Sequence, residues 1–198
     1  LLDLMNIASV NVVAVSYGGL TGLHFASRHP DKTKSLILAS AVTKSIDDVK
    51  RLAQAKKFYG KGHESFWAML NFIGKISKKS LVKRTYAIFS TCNTSKIMKD
   101  IKPDTIDAIA KFYDKKPENK GALLDLEHSI NDPVFENIAA PTLIIHSKED
   151  RAVAYEHAEN AKSKIRNSEL FAANTWGHFI WVGKGADEVL NKIISFIS

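Results

Sequence analysis

The run from Val12 to Gly19 (VVAVSYGG) constrains the fold of this chain more than any other segment. Small or β-favouring apolar residues lead directly into Ser16, and two glycines follow before a helical pattern begins. A strand that turns sharply into a helix at a serine lifts the hydroxyl clear of the sheet edge, where it is able to attack a substrate. Because such a corner strains the backbone, we expect Ala14 and Gly18 to be small so that the chain can pass itself.

The same run also fits an ordinary strand-to-helix turn that carries an incidental serine, since patterns of the G-x-S-x-G type recur by chance. The chemical interpretation of Ser16 is favoured, but it depends on residues elsewhere in the chain. A serine nucleophile needs a base to take its proton and a third group to orient that base.

Short apolar runs and helical periodicities alternate at the two ends of the chain. Nearly continuous apolar runs are typical of strands buried on both faces of a parallel sheet, and this applies to residues 11–15 in particular. The predicted strands are residues 11–15, 35–41, 142–146 and 168–172, and the predicted helices are residues 17–29, 154–165 and 186–197. A strand, a helix and a second strand within about 30 residues form a βαβ unit. The alternation predicts the α/β class with a parallel sheet of about four strands and flanking helices.

Three helical segments have one apolar face each, which should pack on the sheet. Residues 1–9 are interpreted as the end of an amphipathic helix with the stripe Leu1, Leu4, Met5 and Ala8. The helix after Ser16 is predicted to turn Leu20, Leu23 and either Ala26 or Ser27 inward. The buried face of the last helix is predicted to be Val189, Leu190, Ile193, Ile194 and Ile197.

The block between the second and third predicted strands has a different pattern. Its residues are rich in lysine and mostly helical in period, and glycines and prolines break it into pieces. Aromatic pairs recur in it at Phe58–Tyr59, Phe66–Trp67 and Phe112–Tyr113. We interpret residues 43–137 as an all-helical insertion into an α/β core that comprises residues 1–42 and 138–198.

The net charge of +7 is concentrated in this block, because residues 44–120 hold 18 Lys and Arg against 8 Asp and Glu. A basic stretch of this size also fits an acidic partner such as nucleic acid or anionic lipid. Its lysines alternate with apolar residues at helical spacing, however, which favours a solvated helix face. We therefore predict no nucleic-acid partner.

Composition excludes some other classes. No apolar run approaches the roughly 18 residues that a membrane span needs. The seven histidines have no metal-ligand spacing, and a single cysteine, Cys92, has no partner for an internal disulfide. We expect a cytoplasmic protein without a membrane span or a metal.

Two residues that follow predicted strands are candidates for the partners of Ser16. Asp150 follows the strand at residues 142–146, and His178 follows the strand at residues 168–172. Because the carboxyl ends of parallel strands meet at one edge of a sheet, we expect these side chains to lie near Ser16. In this interpretation His178 is the base and Asp150 is the acid that orients it.

Each of these residues has a structural alternative. Asp150 also fits a cap for the helix that follows it, and Glu149, one residue earlier, is a weaker candidate for the acid. His178 also fits a surface histidine, although Trp176 and Gly177 before it suggest a shaped loop. His146, at a strand end near the site, favours a structural role.

The order Ser16, Asp150, His178, after the first, third and fourth predicted strands, resembles the α/β-hydrolase superfamily. The resemblance covers essentially the whole chain, with Ser16 at the nucleophile elbow and Gly-His-Phe before the final helix. It implies that residues 43–137 form a helical lid. It also implies that the backbone N–H of Tyr17 donates to the oxyanion. Aromatic residues of that lid are candidates to line an apolar substrate pocket, although a simpler role in the lid core is favoured for each: Phe66, Trp67 and Phe72.

The implied function is that of a serine hydrolase which cleaves a carboxylic ester or a related acyl or C–C substrate through an acyl-enzyme. The lid implies a small, partly apolar substrate, and the resemblance implies no cofactor. A serine at position 16 argues against a dehalogenase or an epoxide hydrolase. A non-catalytic binding or interaction protein of the same fold, and an acyltransferase or perhydrolase with the same triad, remain alternatives.

One departure from the family pattern concerns the start of the chain. The family has about four strands before the elbow, and the loop after the third supplies a second oxyanion donor. Without them, the strand at residues 11–15 is expected to be an exposed edge that a preceding segment or a second copy of the chain would cover. Loss of one oxyanion donor lowers the rate by about 10²-fold or more, so this chain alone is expected to be a weak catalyst.

Overall fold

A computed structural model describes residues 1–45, 63–113 and 132–198, together with positions 53 and 124. The pair Phe58–Tyr59 lies outside the described residues. Within the described part, a parallel sheet has the strand order β1-β2-β3-β4. The strands are β1 (Val10–Val15), β2 (Thr33–Ala39), β3 (Thr142–His146) and β4 (Ser168–Ala172). The helices are α1 (Gly18–Arg28), α2 (His63–Ile76), α3 (Lys78–Phe89), α4 (Thr94–Asp100), α5 (Pro103–Phe112), α6 (Asp132–Glu136), α7 (Glu156–Lys164) and α8 (Ala186–Ile197).

The two faces of the sheet are each covered by helices, as the α/β prediction requires. Leu36 and Leu38 of β2 face a cluster that includes residues of α1 and α7. Ile37 and Ala39, which alternate with them, face a second cluster with Val189 of α8. This alternation follows from the two-residue period of a strand, and burial on both faces explains why β2 is apolar throughout its centre. The α/β class and the parallel sheet are therefore confirmed.

Strand β1 is an edge strand among the described residues, and it is more exposed than β2 and β3. It pairs with β2, and Val13 and Val15 are 55% and 37% exposed. The expectation that this strand is buried on both faces is therefore wrong. An apolar groove of about 740 Å³ runs along β1 and α1, where Val13 and Phe25 are among its lining residues.

The prediction of an amphipathic helix at residues 1–9 is also wrong. The structure has a single 3-10 turn at Asp3–Met5, and Leu1 and Leu4 are almost fully exposed. Their apolar side chains have no covering surface among the described residues, so helical periodicity alone does not bury them.

The last helix, α8, has the predicted bounds but a narrower buried face. Val189 is buried, and Ile193 and Ile197 pack partly against the cluster on that side of the sheet. Leu190 and Ile194 are half exposed, which corrects the prediction for these two residues. They lie one position beyond Val189 and Ile193, and so at the margin of the face that meets the sheet.

Helices α2 to α5 lie between β2 and β3 in the chain and have a hydrophobic cluster of their own. Its buried members come from all four helices and include Leu70, Leu81, Tyr86, Ile97 and Ile109. We call residues 63–113 the helical segment. Trp176 and Val182, from the loop after β4, pack against the same cluster. No helix in the described part of the chain is long and apolar enough to cross a membrane.

Candidate active site

Ser16 lies at the turn between β1 and α1 and has a backbone φ of 52°. A positive φ is uncommon for a residue with a side chain, and here the surrounding backbone holds it. The Ser16 N–H donates to the carbonyl of Ala39 at 3.2 Å, and the Ser16 carbonyl accepts from the N–H of Val42 at 2.8 Å. The predicted strained corner is therefore present in the structure.

Close packing behind this corner depends on Gly19 and Gly22. A Cβ atom on Gly19 would lie 2.3 Å from the Val42 carbonyl oxygen, and one on Gly22 would lie 2.5 Å from the Cβ of Ala14. The expectation for Ala14 is thus supported. The one for Gly18 is wrong, because a Cβ there meets no atom of the described residues within 4 Å.

His178 and Asp150 form a direct hydrogen bond at the carboxyl ends of β4 and β3. Nδ1 of His178 lies 2.8 Å from Oδ2 of Asp150. Both residues are buried, and the Asp150 side chain has no exposed surface. Since a carboxylate only accepts, Nδ1 carries the proton, which leaves Nε2 of the neutral ring as an acceptor.

The second oxygen of Asp150 organises its own loop. Oδ1 accepts the backbone N–H groups of Ala152 and Val153, each at 2.9 Å. Asp150 therefore caps this turn through one oxygen and contacts His178 through the other. The alternative acid, Glu149, instead binds the hydroxyl of Thr91, so the structure gives it no contact with the histidine.

Asp150 is held as a carboxylate. Burial alone raises its pKa, but the hydrogen bonds from His146 and His178 outweigh that effect, and the pKa falls to about 2. An ionised carboxylate beside Nδ1 stabilises an imidazolium, so His178 can gain a proton at Nε2 without leaving a buried positive charge unpaired.

The loop that carries His178 is shaped by Gly177 and by the end of α3. Gly177 has a φ of 123°, and a Cβ on it would lie 2.6 Å from the carbonyl oxygen of Phe89. That carbonyl accepts the N–H of His178 at 3.1 Å. The Phe89 ring also stacks on the imidazole, with centroids 5.7 Å apart and planes 22° apart. The helical segment thus fixes both the backbone and the ring of His178.

A short stretch after β2 connects Ser16 to the His178 loop. Val42 donates to the Ser16 carbonyl, as described above, and the buried Ser40 hydroxyl donates to the carbonyl of His178 at 3.1 Å. Ser40 has a φ of 46°. The structure therefore places Ser16, Asp150 and His178 on loops that leave the same edge of the sheet.

The aromatic candidates lie within the helical segment. Trp67 and Phe66 pack partly buried against its cluster, and Trp67 contacts Phe112 with ring centroids 6.2 Å apart. Phe112 in turn contacts Phe179, which adjoins His178. Phe72 is 64% exposed, and the structure shows no contact between it and the residues around His178.

Tyr17 is the residue immediately before α1, directly after Ser16. Its position at a helix N-terminus fits a backbone donor toward an anion.

The sequence did not predict the contacts that three residues make around the site: Ser40, Phe89 and His146. His146 ends β3 and Ser40 directly follows β2, so the strand-end rule that selected Asp150 also applies to them, although the sequence favoured only a structural role for His146. Phe89 comes from a helix far away in the sequence, and no local signal indicates that it stacks on His178. Among the described residues, no cluster of His, Cys, Asp or Glu could hold a metal ion.

Comparison with known proteins identifies the family. The chain matches the model for the alpha/beta hydrolase fold over residues 1–183, and it belongs to that family. It is 31% identical to the uncharacterized hydrolase YcgS of Bacillus subtilis (strain 168) over 204 residues, which cover 100% of this chain and 71% of that protein. The chain is thus a hydrolase-family protein, and it spans 71% of the length of this relative.

Two further similarities extend this result. The chain is 23% identical to the 2-hydroxy-6-oxo-2,4-heptadienoate hydrolase of Pseudomonas putida, over 98% of this chain and 67% of that protein. An alpha/beta hydrolase fold protein from Nakamurella multipartita superposes with a TM-score of 0.77 at 22% identity, over 99% of this chain and 71% of that one. This structural likeness confirms the fold.

Proposed function

We propose that this chain is a serine hydrolase in which Ser16 is the nucleophile, His178 the base and Asp150 the group that orients the base. The observation that carries the proposal is the 2.8 Å hydrogen bond between Nδ1 of His178 and Oδ2 of Asp150. This bond fixes the tautomer that presents Nε2 as an acceptor, which is the state a general base needs.

The proposed reaction has two half-reactions. His178 Nε2 takes the proton of the Ser16 hydroxyl as Oγ bonds to the acyl carbon, and the same proton passes to the leaving group as its bond to that carbon breaks. A water molecule then gives a proton to Nε2 and attacks the acyl-enzyme, and Ser16 recovers its proton as the acid leaves. Asp150 stays ionised throughout and stabilises the imidazolium.

Charge on the substrate oxygen is stabilised from the start of α1. In this proposal the backbone N–H of Tyr17 donates to the oxyanion, because it follows the nucleophile at a helix N-terminus. The positive φ of Ser16 supports this role, since a strained corner is how this fold turns the serine hydroxyl and the next N–H toward the same substrate.

We propose a small, partly apolar acyl substrate, with the helical segment as part of a lid over residues 43–137. The segment has its own hydrophobic cluster and covers His178 with Phe89. Phe112 and Trp181, both about half exposed, contact Phe179 beside His178 and present apolar surface there. Trp67 would contribute to the substrate pocket through its ring contact with Phe112. The proposed substrate role of Phe66 and Phe72 has less support from their contacts.

The proposal is tested by the hydrolysis of p-nitrophenyl esters with acyl chains of two to eight carbons. We expect turnover above background, and we expect Ser16→Ala to lower it to the background rate. The matched control is Ser163→Ala, an exposed serine of α7 that bonds the carbonyl of Asn160. Equal turnover by the wild-type chain and Ser16→Ala would contradict the proposal and favour a non-catalytic binding protein.

A further inference from the structure

His146 is a buried histidine that the proposed reaction does not use. It ends β3, its exposed fraction is 1%, and its ring contacts that of Tyr155 with centroids 5.9 Å apart. Burying a histidine is costly unless its ring nitrogens have partners. The partners of His146 lead directly to Asp150.

One ring nitrogen of His146 faces two oxygen acceptors. Nε2 lies 2.9 Å from the carbonyl oxygen of Val153 and 3.3 Å from Oδ2 of Asp150. A carbonyl and a carboxylate both accept hydrogen bonds and donate none, so Nε2 must carry the proton. His146 therefore donates into the turn that contains the carboxylate.

Oδ2 of Asp150 is shared between two histidines. His178 Nδ1 lies 2.8 Å from this oxygen and His146 Nε2 lies 3.3 Å from it, while Oδ1 accepts from the backbone of Ala152 and Val153. Each oxygen of the carboxylate therefore has two donors within 3.3 Å among the described residues. Removing His146 leaves Oδ2 with one fewer restraint on its direction.

We propose that His146 is a positioning residue whose Nε2–H, held between the Val153 carbonyl and Oδ2 of Asp150, keeps the carboxylate aimed at His178. This inference rests on the proposed function of the triad. His146 acts through Asp150 and touches no reacting atom. The hydrogen bond from His146 is also one of those that lower the pKa of Asp150 against the effect of burial.

Other titratable groups near His146 are few among the described residues. Asp150 and Tyr155 face it directly, and the half-buried His157, from α7, interacts with it electrostatically. Burial, with Lys44 and His146 nearby, lowers the pKa of His157 to about 4. His157 is therefore neutral near pH 7, and Asp150 is the charge that His146 faces.

The test uses two variants of nearly equal shape, His146→Gln and His146→Met. The glutamine amide places an N–H donor near the position of Nε2, whereas the methionine side chain has the same length and no such donor. We expect kcat for p-nitrophenyl ester hydrolysis to fall about tenfold in His146→Met with KM within about twofold, and to stay within about threefold of wild type in His146→Gln. His24→Gln, on α1, is the matched control.

Equal kcat in the glutamine and methionine variants would overturn the proposal, because a purely space-filling role does not distinguish them. If His146→Met does not fold, His146→Asn replaces it, since its shorter amide does not reach the position of Nε2. We then expect kcat in His146→Asn about tenfold below that in His146→Gln, and equal values again contradict the proposal.

A second measurement separates this inference from the proposed function, because it needs no turnover. The unfolding constants of His146→Met and His146→Gln are compared with Asp150 present and in the Asp150→Asn background. We expect the unfolding constant of His146→Met to exceed that of His146→Gln by about tenfold or more with Asp150 present. In the Asp150→Asn background we expect the excess to be about threefold or less. The same ratio in both backgrounds overturns the inference, whereas an inactive wild-type chain with the expected ratios contradicts only the proposed function.

Discussion

The sheet and the helical segment contribute to the candidate site in different ways. The sheet supplies the chemical groups, since Ser16, Asp150 and His178 follow three of its strands at one edge. The helical segment supplies a stacking ring and a backbone acceptor from Phe89. Strand order therefore places the reactive groups, while the orientation of His178 also depends on a helix from a separate cluster.

The contacts between the two regions are concentrated on the loops that carry Asp150 and His178. Ser90 forms a bridge with Asp150, and Thr91 N–H donates to the Glu149 carbonyl at 3.0 Å. Gly177 passes so close to Phe89 that no side chain fits. Substitutions at this contact should therefore lower both the activity and the free energy of unfolding. Substitutions on the far side of either region should lower the free energy of unfolding alone.

The largest expected effect tests the contribution of the sheet. Asp150→Asn should lower kcat for ester hydrolysis by about 10⁴-fold, because an amide can donate to Nδ1 and stabilise the wrong tautomer of His178. The control is Glu149→Gln, the neighbouring residue, which binds Thr91 instead of the histidine. Steady-state kinetics should place this control within about threefold of wild type. Comparable losses of kcat in both variants would contradict the assignment of Asp150 as the acid.

The next effect tests the contact between the two regions. Gly177→Ala should lower the free energy of unfolding by about 2–4 kcal/mol, because the new Cβ meets the Phe89 carbonyl and the φ of 123° is strained for alanine. Gly18→Ala is the matched control, since its Cβ meets no described atom within 4 Å. Urea unfolding should show a change between zero and a gain of about 1 kcal/mol for that control.

A smaller effect isolates the ring that the helical segment places on His178. Phe89→Leu keeps the backbone carbonyl that accepts from His178 but removes the stacked ring. We expect kcat to fall about threefold to tenfold with a stability loss of about 1 kcal/mol. Ile88→Val, on the same helix and partly exposed, should leave kcat unchanged. A Phe89→Leu variant with wild-type kcat would restrict the helical segment to a structural role.

The last effect concerns stability alone, at the contact between His157 and the segment that leaves β2. Thr43 donates its N–H to Nδ1 of His157 at 3.0 Å and its hydroxyl to the His157 carbonyl at 2.6 Å. Burial lowers the pKa of His157 from 6.5 to about 4. Between these values the unfolded chain binds more protons than the folded one, so lowering the pH through this window destabilises the fold.

For the partly exposed His157, we expect a loss of about 1–2 kcal/mol between pH 6.5 and pH 4. Urea unfolding at several pH values measures it. His157→Gln should lose this part of the pH dependence and keep the part that arises from Asp150, which appears below pH 4 as that carboxylate is protonated. An identical pH dependence of the unfolding free energy in the two proteins would contradict this role of His157.

Much of the sheet could be predicted from the sequence because local patterns determine it. The bounds of β3 and β4 follow from short apolar runs between polar turns, and Asp150 and His178 follow from the rule that strand ends meet. The exposure of Val13 could not be predicted from its own run, since an apolar strand has the same pattern whether or not its outer edge is paired.

The errors at the helices have a related cause. Periodicity identifies an apolar face, but the neighbouring surface decides how much of it is buried, and this explains the exposed Leu1, Leu190 and Ile194. Phe89 lies beyond sequence reasoning for the same reason, because its contact with His178 joins residues 89 positions apart through tertiary packing. The role of Gly19 in place of Gly18 depended on the exact approach of Val42.

Covalent labelling tests directly whether Ser16 is the nucleophile of a working triad. The wild-type chain is treated with a fluorophosphonate, digested and mapped by mass spectrometry, beside Ser16→Ala and Ser163→Ala. We predict one adduct on Ser16 in the wild-type chain and in Ser163→Ala, and none in Ser16→Ala. An unlabelled wild-type chain, or an adduct that persists in Ser16→Ala, would contradict this role of Ser16.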